Sequence, residues 1–181
     1  MRQVQRAAAA LAALMAAAGT CLLAAGPAAA TLRATASGPQ IWVIHNSANG
    51  KCLDADNNHI NTLGDKIQLW ACWHGANQEW YWSGSELVNV ASGLCLDADN
   101  NHITSIPDTV QLWSCWDGPN QQWQVQVIKT NPPIPLITNS GSGGHCLDAD
   151  PAGINNNGDT VRLWSCTDAI NHQWTWELVS G

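Results

Sequence analysis

The sequence contains no phenylalanine and one tyrosine, yet it carries eleven tryptophans. A chain that used aromatic rings only as core filler would mix Phe with Trp. Trp joins a large flat face to a single N–H donor, which suits surfaces that are apolar and wet at once. Basic residues are also scarce, with seven Lys and Arg against fourteen Asp and Glu. No basic patch is present, which argues against nucleic acid and anionic membranes as partners. Helical periodicity is missing along the chain. Paired C-x-x-C spacing is missing too, so the cysteines do not read as a zinc ribbon.

Residues 1–30 open with Arg2 and Arg6, run through Ala and Leu from Ala7 to Ala25, and close on Ala28-Ala29-Ala30. A basic start, an apolar middle and a small-residue end describe a secretory signal peptide. Gly19, Gly26 and Pro27 break the stretch and weigh against a membrane anchor; Cys21 would leave with the peptide. The remaining 151 residues make one ordinary domain and keep five Lys/Arg against fourteen Asp/Glu, a formal net charge of −9. The expected location is extracellular, where cysteines are oxidised.

Laying the chain on itself reveals three gapless copies of one motif. They are Gly50–Trp82 (GKCLDADNNHINTLGDKIQLWACWHGANQEWYW), Gly93–Val125 (GLCLDADNNHITSIPDTVQLWSCWDGPNQQWQV) and Gly144–Trp176 (GHCLDADPAGINNNGDTVRLWSCTDAINHQWTW). The expected organisation is a short arm at 31–39, then a domain at 40–181 with repeats near 40–83, 84–129 and 130–181. An insertion, Asn131-Pro132-Pro133-Ile134-Pro135, lengthens the connection into the third copy. Each unit shows four short strand signals between Gly, Asn and Asp turns; in the first they lie near Ile41–Asn46, Lys51–Ala55, Lys66–Trp70 and Trp80–Trp82. The fold class is therefore all-β, with twelve strands around a shared core at a pseudo-threefold axis. One unit could not bury its own apolar face.

Six cysteines stand in pairs twenty residues apart: Cys52 and Cys72, Cys95 and Cys115, Cys146 and Cys166. Six cysteines permit 15 connectivities, but only pairing within each copy is realised identically three times. Each closed loop should contribute about 3 kcal/mol by constraining the unfolded chain.

Residues two apart on a strand share a face. With Leu53 turned inward, Cys52 and Asp54 face outward. With Ile67, Leu69 and Ala71 inward, Gln68, Trp70 and Cys72 share the outer face. A Cys52–Cys72 bridge ties the two strands on that same face. An outward Trp70 alone could simply cover the exterior, and Asp54, Asp97 and Asp148 could cap turns. Trp70, Trp113 and Trp164, each with an Asp partner, together favour ligand contact by convergent polar groups around an aromatic ring. Such a set suits a neutral sugar, whose apolar face stacks on the ring while its hydroxyls bond to Asp, Asn and Gln. Trp80, Trp123 and Trp174 read instead as core filler.

The run Asp54-x-Asp56-x-Asn58 with Asp65 at the twelfth position superficially matches a calcium loop. His59 and His102 stand where that loop needs Gly, and no helices flank it. No cofactor or metal is expected, and the six histidines read as solvated loop residues.

Cys-Leu-Asp, Gln-Leu-Trp-x-Cys and Asn-Gln-x-Trp, three times over, resemble the ricin-type β-trefoil lectins. They also resemble the related carbohydrate-binding modules of secreted bacterial hydrolases. The resemblance covers about 140 of the 151 residues that follow the leader. It implies a twelve-strand β-trefoil with up to three sugar pockets. The first would use Asp54, Gln68, Trp70, Asn77 and Gln78; the second Asp97, Gln111, Trp113, Asn120 and Gln121. The third matches at Asp148, Trp164 and Asn171, while Arg162 and His172 replace the two glutamines and Thr167 stands where Trp73 and Trp116 occur. Arg162 lacks an acceptor, so a weakened or altered third site is expected.

No catalytic residue is expected. The Asp54/Asp56 pair recurs in every copy, whereas catalytic sites are usually singular, and no Ser or Cys nucleophile signature is present. The reading is a secreted, monomeric binder of oligosaccharide or polysaccharide, with no nucleic-acid partner and no membrane insertion. A protein-binding inhibitor or a non-binding scaffold on the same fold are the alternatives.

Overall fold

The computed structural model describes residues 38–180; the expected signal peptide and most of the 31–39 arm lie outside them. Twelve strands form one sheet with antiparallel pairings. In chain order they are β1 (Ile41–Asn46), β2 (Cys52–Ala55), β3 (Asp65–Trp70), β4 (Glu79–Ser83), β5 (Glu86–Asn89), β6 (Cys95–Ala98), β7 (Asp108–Trp113), β8 (Trp123–Thr130), β9 (Pro133–Asn139), β10 (Cys146–Ala149), β11 (Asp159–Trp164) and β12 (Trp174–Ser180). Each repeat supplies four. Three single-turn 3₁₀ segments, Ala76–Gln78, Pro119–Gln121 and Ile170–His172, precede the fourth strands. No helix among the described residues is long and apolar enough to cross a membrane.

The second and third strands of each repeat form a hairpin in one register, with Leu53 opposite Leu69, Leu96 opposite Leu112 and Leu147 opposite Leu163. The third strands also pair with one another, β3 with β7, β7 with β11 and β11 with β3, and so surround the pseudo-threefold axis. β1 pairs along β12 from Ile41/Ser180 to Asn46/Trp174, joining first strand to last. This is a β-trefoil.

The main core has eighteen buried residues, which are six repeat positions used three times. Ile44, Leu53, Ala55, Ile67, Leu69 and Trp80 recur as Leu87, Leu96, Ala98, Val110, Leu112 and Trp123, then as Ile137, Leu147, Ala149, Val161, Leu163 and Trp174. The three core tryptophans are almost wholly buried. Each donates its indole N–H to a second-strand carbonyl, Leu53, Leu96 or Leu147, at 2.9–3.0 Å. Their expected role as filler holds, and the paired N–H explains why Trp rather than Phe fills the site. Trp42, Trp82 and Trp176 form a half-buried cluster, with Trp82 and Trp176 packed against this core and their centroids 5.7 Å apart.

All three expected disulfides are present, with Cα–Cα distances of 5.2, 5.1 and 5.0 Å. Two expectations need correction. Ala71 is exposed rather than inward, because β3 ends at Trp70 and strand parity stops with it. The proline insertion is more than a longer connection: Pro133 and Pro135 lie on β9, which extends a hairpin with β8. Proline is tolerated there because β9 meets β10 only at Thr138, so few ladder donors are required on that side.

Candidate functional site

Strand pairing alone brings the first residues together. On the β2–β3 hairpin Asp54 lies opposite Gln68 and Cys52 opposite Trp70. On β6–β7, Asp97 and Cys95 face Gln111 and Trp113; on β10–β11, Asp148 and Cys146 face Arg162 and Trp164. The 3₁₀ turn of each repeat then folds back over the hairpin and inserts its Asn-Gln or Asn-His pair beside the Asp.

Outward-facing Asp54 is not exposed; only 2% of it meets solvent. Its Oδ1 accepts from Gln68 Nε2 at 3.0 Å, and its Oδ2 accepts from Asn77 Nδ2 at 2.9 Å and Gln78 Nε2 at 2.8 Å. Asp97 receives the same three bonds from Gln111, Asn120 and Gln121, at 3.2, 2.8 and 2.7 Å. Burial pushes both carboxyls above the usual carboxylate range, and the three amide donors pull them partly back.

Gln78 and Gln121 lie wholly behind the carboxylates, with no exposed surface. Gln78 Nε2 also donates to Ala71 O, while its Oε1 accepts from the Trp73 and His74 amides, so its amide is fully used inside the protein. Asn77 is different. Its Nδ2 bonds to Asp54 and to Ala55 O, both acceptors, which fixes the orientation of the amide. Its Oδ1 is buried and has no partner, and the same is true of Asn120 Oδ1. Both Asn residues line open pockets.

The first pocket, of about 450 Å³, is lined by Asp54, Gln68, Trp70 and Asn77, and also by Asp56, Asn57, Asn58 and Trp73. The second, of about 300 Å³, has the corresponding residues, including Trp116. Trp70 and Trp113 are 39% exposed, Trp73 and Trp116 56% and 55%. Trp73 and Trp116 were not assigned to the site from sequence. Their signal was repetition next to the second cysteine, and its loss at Thr167. Their rings lie against glycine: a Cβ on Gly75 or Gly118 would sit 2.1 Å from the indole. Each pocket is lined from within one repeat, and a neighbouring repeat abuts the first two at their tryptophans. Gly158 and Gly64, both at φ +83, approach Trp70 and Trp113 and donate their amides to Leu69 O and Leu112 O at 2.8 Å.

The third pocket, of about 250 Å³, brings together Asp148, Trp164 and Asn171 with Arg162, Thr167 and His172. Arg162 Nε meets Asp148 Oδ2 at 2.8 Å and its Nη1 meets Asp150 at 3.0 Å. Its guanidinium also stacks 4.6 Å from the Trp164 ring centroid, covering one face of that ring. His172 is 3% exposed rather than a solvated loop residue. Its Nδ1 accepts from the Thr167 amide at 3.1 Å and its Nε2 lies 2.8 Å from Asp148 Oδ1. These are two of the four links that Gln78 makes in repeat one, those to the carboxylate and to the residue after the second cysteine. An imidazole with one acceptor and one N–H bridges them as a primary amide does. His45 is also engaged rather than free, with Nε2 3.0 Å from Glu177.

Two groups with metal-ligating residue types, His45/Cys52/Cys72 and Glu86/Cys95/Cys115, occur among the described residues. Both rely on cysteines bonded to each other, which offer no thiolate.

A threefold β-trefoil with a tryptophan and a buried carboxylate on each hairpin is the frame of the ricin-type domains. The family model of the ricin-type beta-trefoil lectin domain matches residues 40–174, and the chain belongs to that family. Carbohydrate binding is the activity that this membership supports. Among solved structures, the designed threefold-symmetric protein ThreeFoil is 26% identical with a TM-score of 0.67, over 75% of this chain and 96% of that one. The hemolytic lectin CEL-III is 25% identical with a TM-score of 0.62, over 77% of this chain and 31% of that one. The Macrolepiota procera ricin B-like lectin, solved with lactose, shares the fold at 20% identity and a TM-score of 0.64, over 78% and 96%. Among curated proteins, none matches the chain in sequence.

Proposed function

We propose that this chain is a secreted, non-catalytic carbohydrate-binding module whose first and second pockets each hold a neutral sugar unit. The observation that carries the reading is the unpartnered Oδ1 of Asn77 and Asn120. Each belongs to an asparagine that lines a pocket flanked by two exposed tryptophans. A buried acceptor left unmet costs about 1–3 kcal/mol, and a sugar hydroxyl supplies the missing proton. Asp54 and Asp97 accept further hydroxyls at the lone pairs that the amides leave free, while Trp70 and Trp113 take the apolar face of the ring. Gln78 and Gln121 act indirectly, by holding the carboxylates in place.

The third pocket binds more weakly in this reading, because Arg162 occupies both its carboxylate and a face of its tryptophan. A single shallow site has an affinity near millimolar, about −4 kcal/mol. Two or more sites presented to one polysaccharide gain about 10²–10⁴ in avidity.

Affinity electrophoresis of the oxidised chain in gels containing soluble polysaccharides tests this reading. Retardation by at least one polysaccharide, reduced in Trp70→Ala or Trp113→Ala and abolished in the double variant, is the expected result. Retardation unchanged in the folded double variant would overturn the site assignment.

A further inference from the structure

The repeat pockets leave one cavity unexplained. Where β3, β7 and β11 meet around the pseudo-threefold axis, a pocket of about 350 Å³ is lined from all three repeats. Its volume falls within the roughly 300–1,000 Å³ range of small-molecule sites. Lys66, Thr109 and Thr160 occupy one repeat position on its wall, and Gln111 and Arg162 another. Beneath them lie Ile67, Val110 and Val161, which belong to the core. No tryptophan lines it.

Threefold symmetry makes the departures informative. Lys66 stands where the other two copies have Thr, and Arg162 where the other two have Gln. Each replacement introduces a positive charge, and both reach the same cavity. They are two of the four Lys and Arg among the described residues of an acidic chain. Lys66 Nζ donates to the Gly158 carbonyl at 2.5 Å and makes no ion pair among the described residues. Arg162 uses Nε and Nη1 on Asp148 and Asp150, which leaves Nη2. Asp108 also lines the wall, 5% exposed, with a buried oxygen that has no partner. Asp65 and Asp159 carry a similar unpartnered oxygen, so that feature belongs to the repeat; only Asp108 of the three lines this cavity.

We infer that this axial cavity is a fourth ligand site, one that takes a single acidic sugar unit of the hexuronate class. An ammonium and a free guanidinium nitrogen suit a carboxylate through charge-assisted bonds. The Thr109 and Thr160 hydroxyls and the Gln111 Oε1, whose amide nitrogen is taken by Asp97, supply donors and acceptors for ring hydroxyls. A neutral sugar would leave Lys66 hydrogen-bonded only to the Gly158 carbonyl, and a simple carboxylate would leave the hydroxyl partners unused. Charge rather than stacking selects the ligand here, in contrast to the tryptophan pockets. The site shares Gln111 with the second repeat pocket and Arg162 with the third, but none of their tryptophans.

Titration of the oxidised chain at low ionic strength with D-galacturonate, D-galactose and acetate, followed by amide NMR shifts and calorimetry, tests the inference. Galacturonate is expected to shift Thr109, Val110 and Thr160 and to bind more tightly than galactose or acetate. Lys66→Thr, which installs the residue of the other two repeats, should weaken galacturonate binding by about ten-fold, the loss of one charge-assisted bond. The Trp70→Ala/Trp113→Ala variant should retain it. Absence of galacturonate binding, equal binding by Lys66→Thr, or equal shifts at these residues with acetate or galactose would overturn the inference. Polysaccharide retention through Trp70 and Trp113 is read separately, so failure of one site is distinguishable from failure of the other.

Discussion

His172 Nε2 lies 2.8 Å from Oδ1 of Asp148, while its other ring nitrogen takes the Thr167 amide proton. A glutamine does the same work in the other two repeats, from Gln78 and Gln121. The position is therefore defined by geometry, an acceptor at one end and a donor at the other, rather than by a residue type. His172→Gln should leave stability within about 1 kcal/mol of the parent, whereas His172→Ala should cost about 1–3 kcal/mol by stranding the Thr167 amide and leaving Asn171 as the one donor to Asp148 Oδ1. Urea denaturation of the two variants checks this, and equal midpoints would refute it.

Gly75 and Gly118 are the floor on which Trp73 and Trp116 lie. Adding one methyl group to either forces the indole out of its pocket. Gly75→Ala should weaken sugar binding about as much as Trp73→Ala, each by roughly two- to ten-fold for an aromatic contact of ~0.5–1.5 kcal/mol. Binding isotherms beside thermal melts separate this effect from unfolding.

The two sets of tryptophans should respond in opposite ways. Trp80→Ala removes a wholly buried ring and should cost about 3–5 kcal/mol. Trp70→Ala, at a site 39% exposed, should cost far less stability but lose binding. Chemical denaturation gives the first quantity and polysaccharide affinity the second.

Acid should strengthen the fold and weaken the sugar sites. Burial raises the carboxyls of Asp54, Asp65, Asp97, Asp108 and Asp159. Between their unfolded values, about 3.9, and their higher folded values, the folded chain binds more protons than the unfolded one. Stability then falls as pH rises through that window and is flat above it. Asp168, held low by Lys129 at the surface, acts in the other direction and is screened by solvent. Denaturation midpoints should therefore climb from pH 7 toward about 4, while affinity falls as Asp54 and Asp97 take up protons and lose acceptor capacity. A stability maximum at neutral pH would contradict this account.

Reduction should unfold the domain. Three loops closed by disulfides contribute about 3 kcal/mol each, which together match the whole stability of an ordinary domain. A melt in excess dithiothreitol compared with the oxidised chain measures the difference.

Much of this was legible before any coordinates. Period-two parity placed Asp54, Gln68 and Trp70 on one face, and β2–β3 pairing puts Asp54 opposite Gln68. Repeat symmetry paired the cysteines, because a local contact made identically three times needs no long-range knowledge. Parity failed at Ala71, where the strand stops, and it could not say that Asp54 is covered. That cover comes from the 3₁₀ turn 23 and 24 residues further on. His172 looked like a loss because residue type was compared where hydrogen-bond geometry was what mattered.

The sequence by itself determined the three-repeat β architecture, the disulfides and the hairpin halves of the pockets, since these follow from alternation and repetition within one unit. Only the tertiary structure decided which polar groups are left unpaired, as at Asn77 and Asn120. It also decided that Lys66 and Arg162, 96 residues apart in the chain, share one cavity. The reason is physical: burial and unmet hydrogen bonds depend on parts of the chain that meet only when each 3₁₀ turn folds over its hairpin and the three units close around their axis.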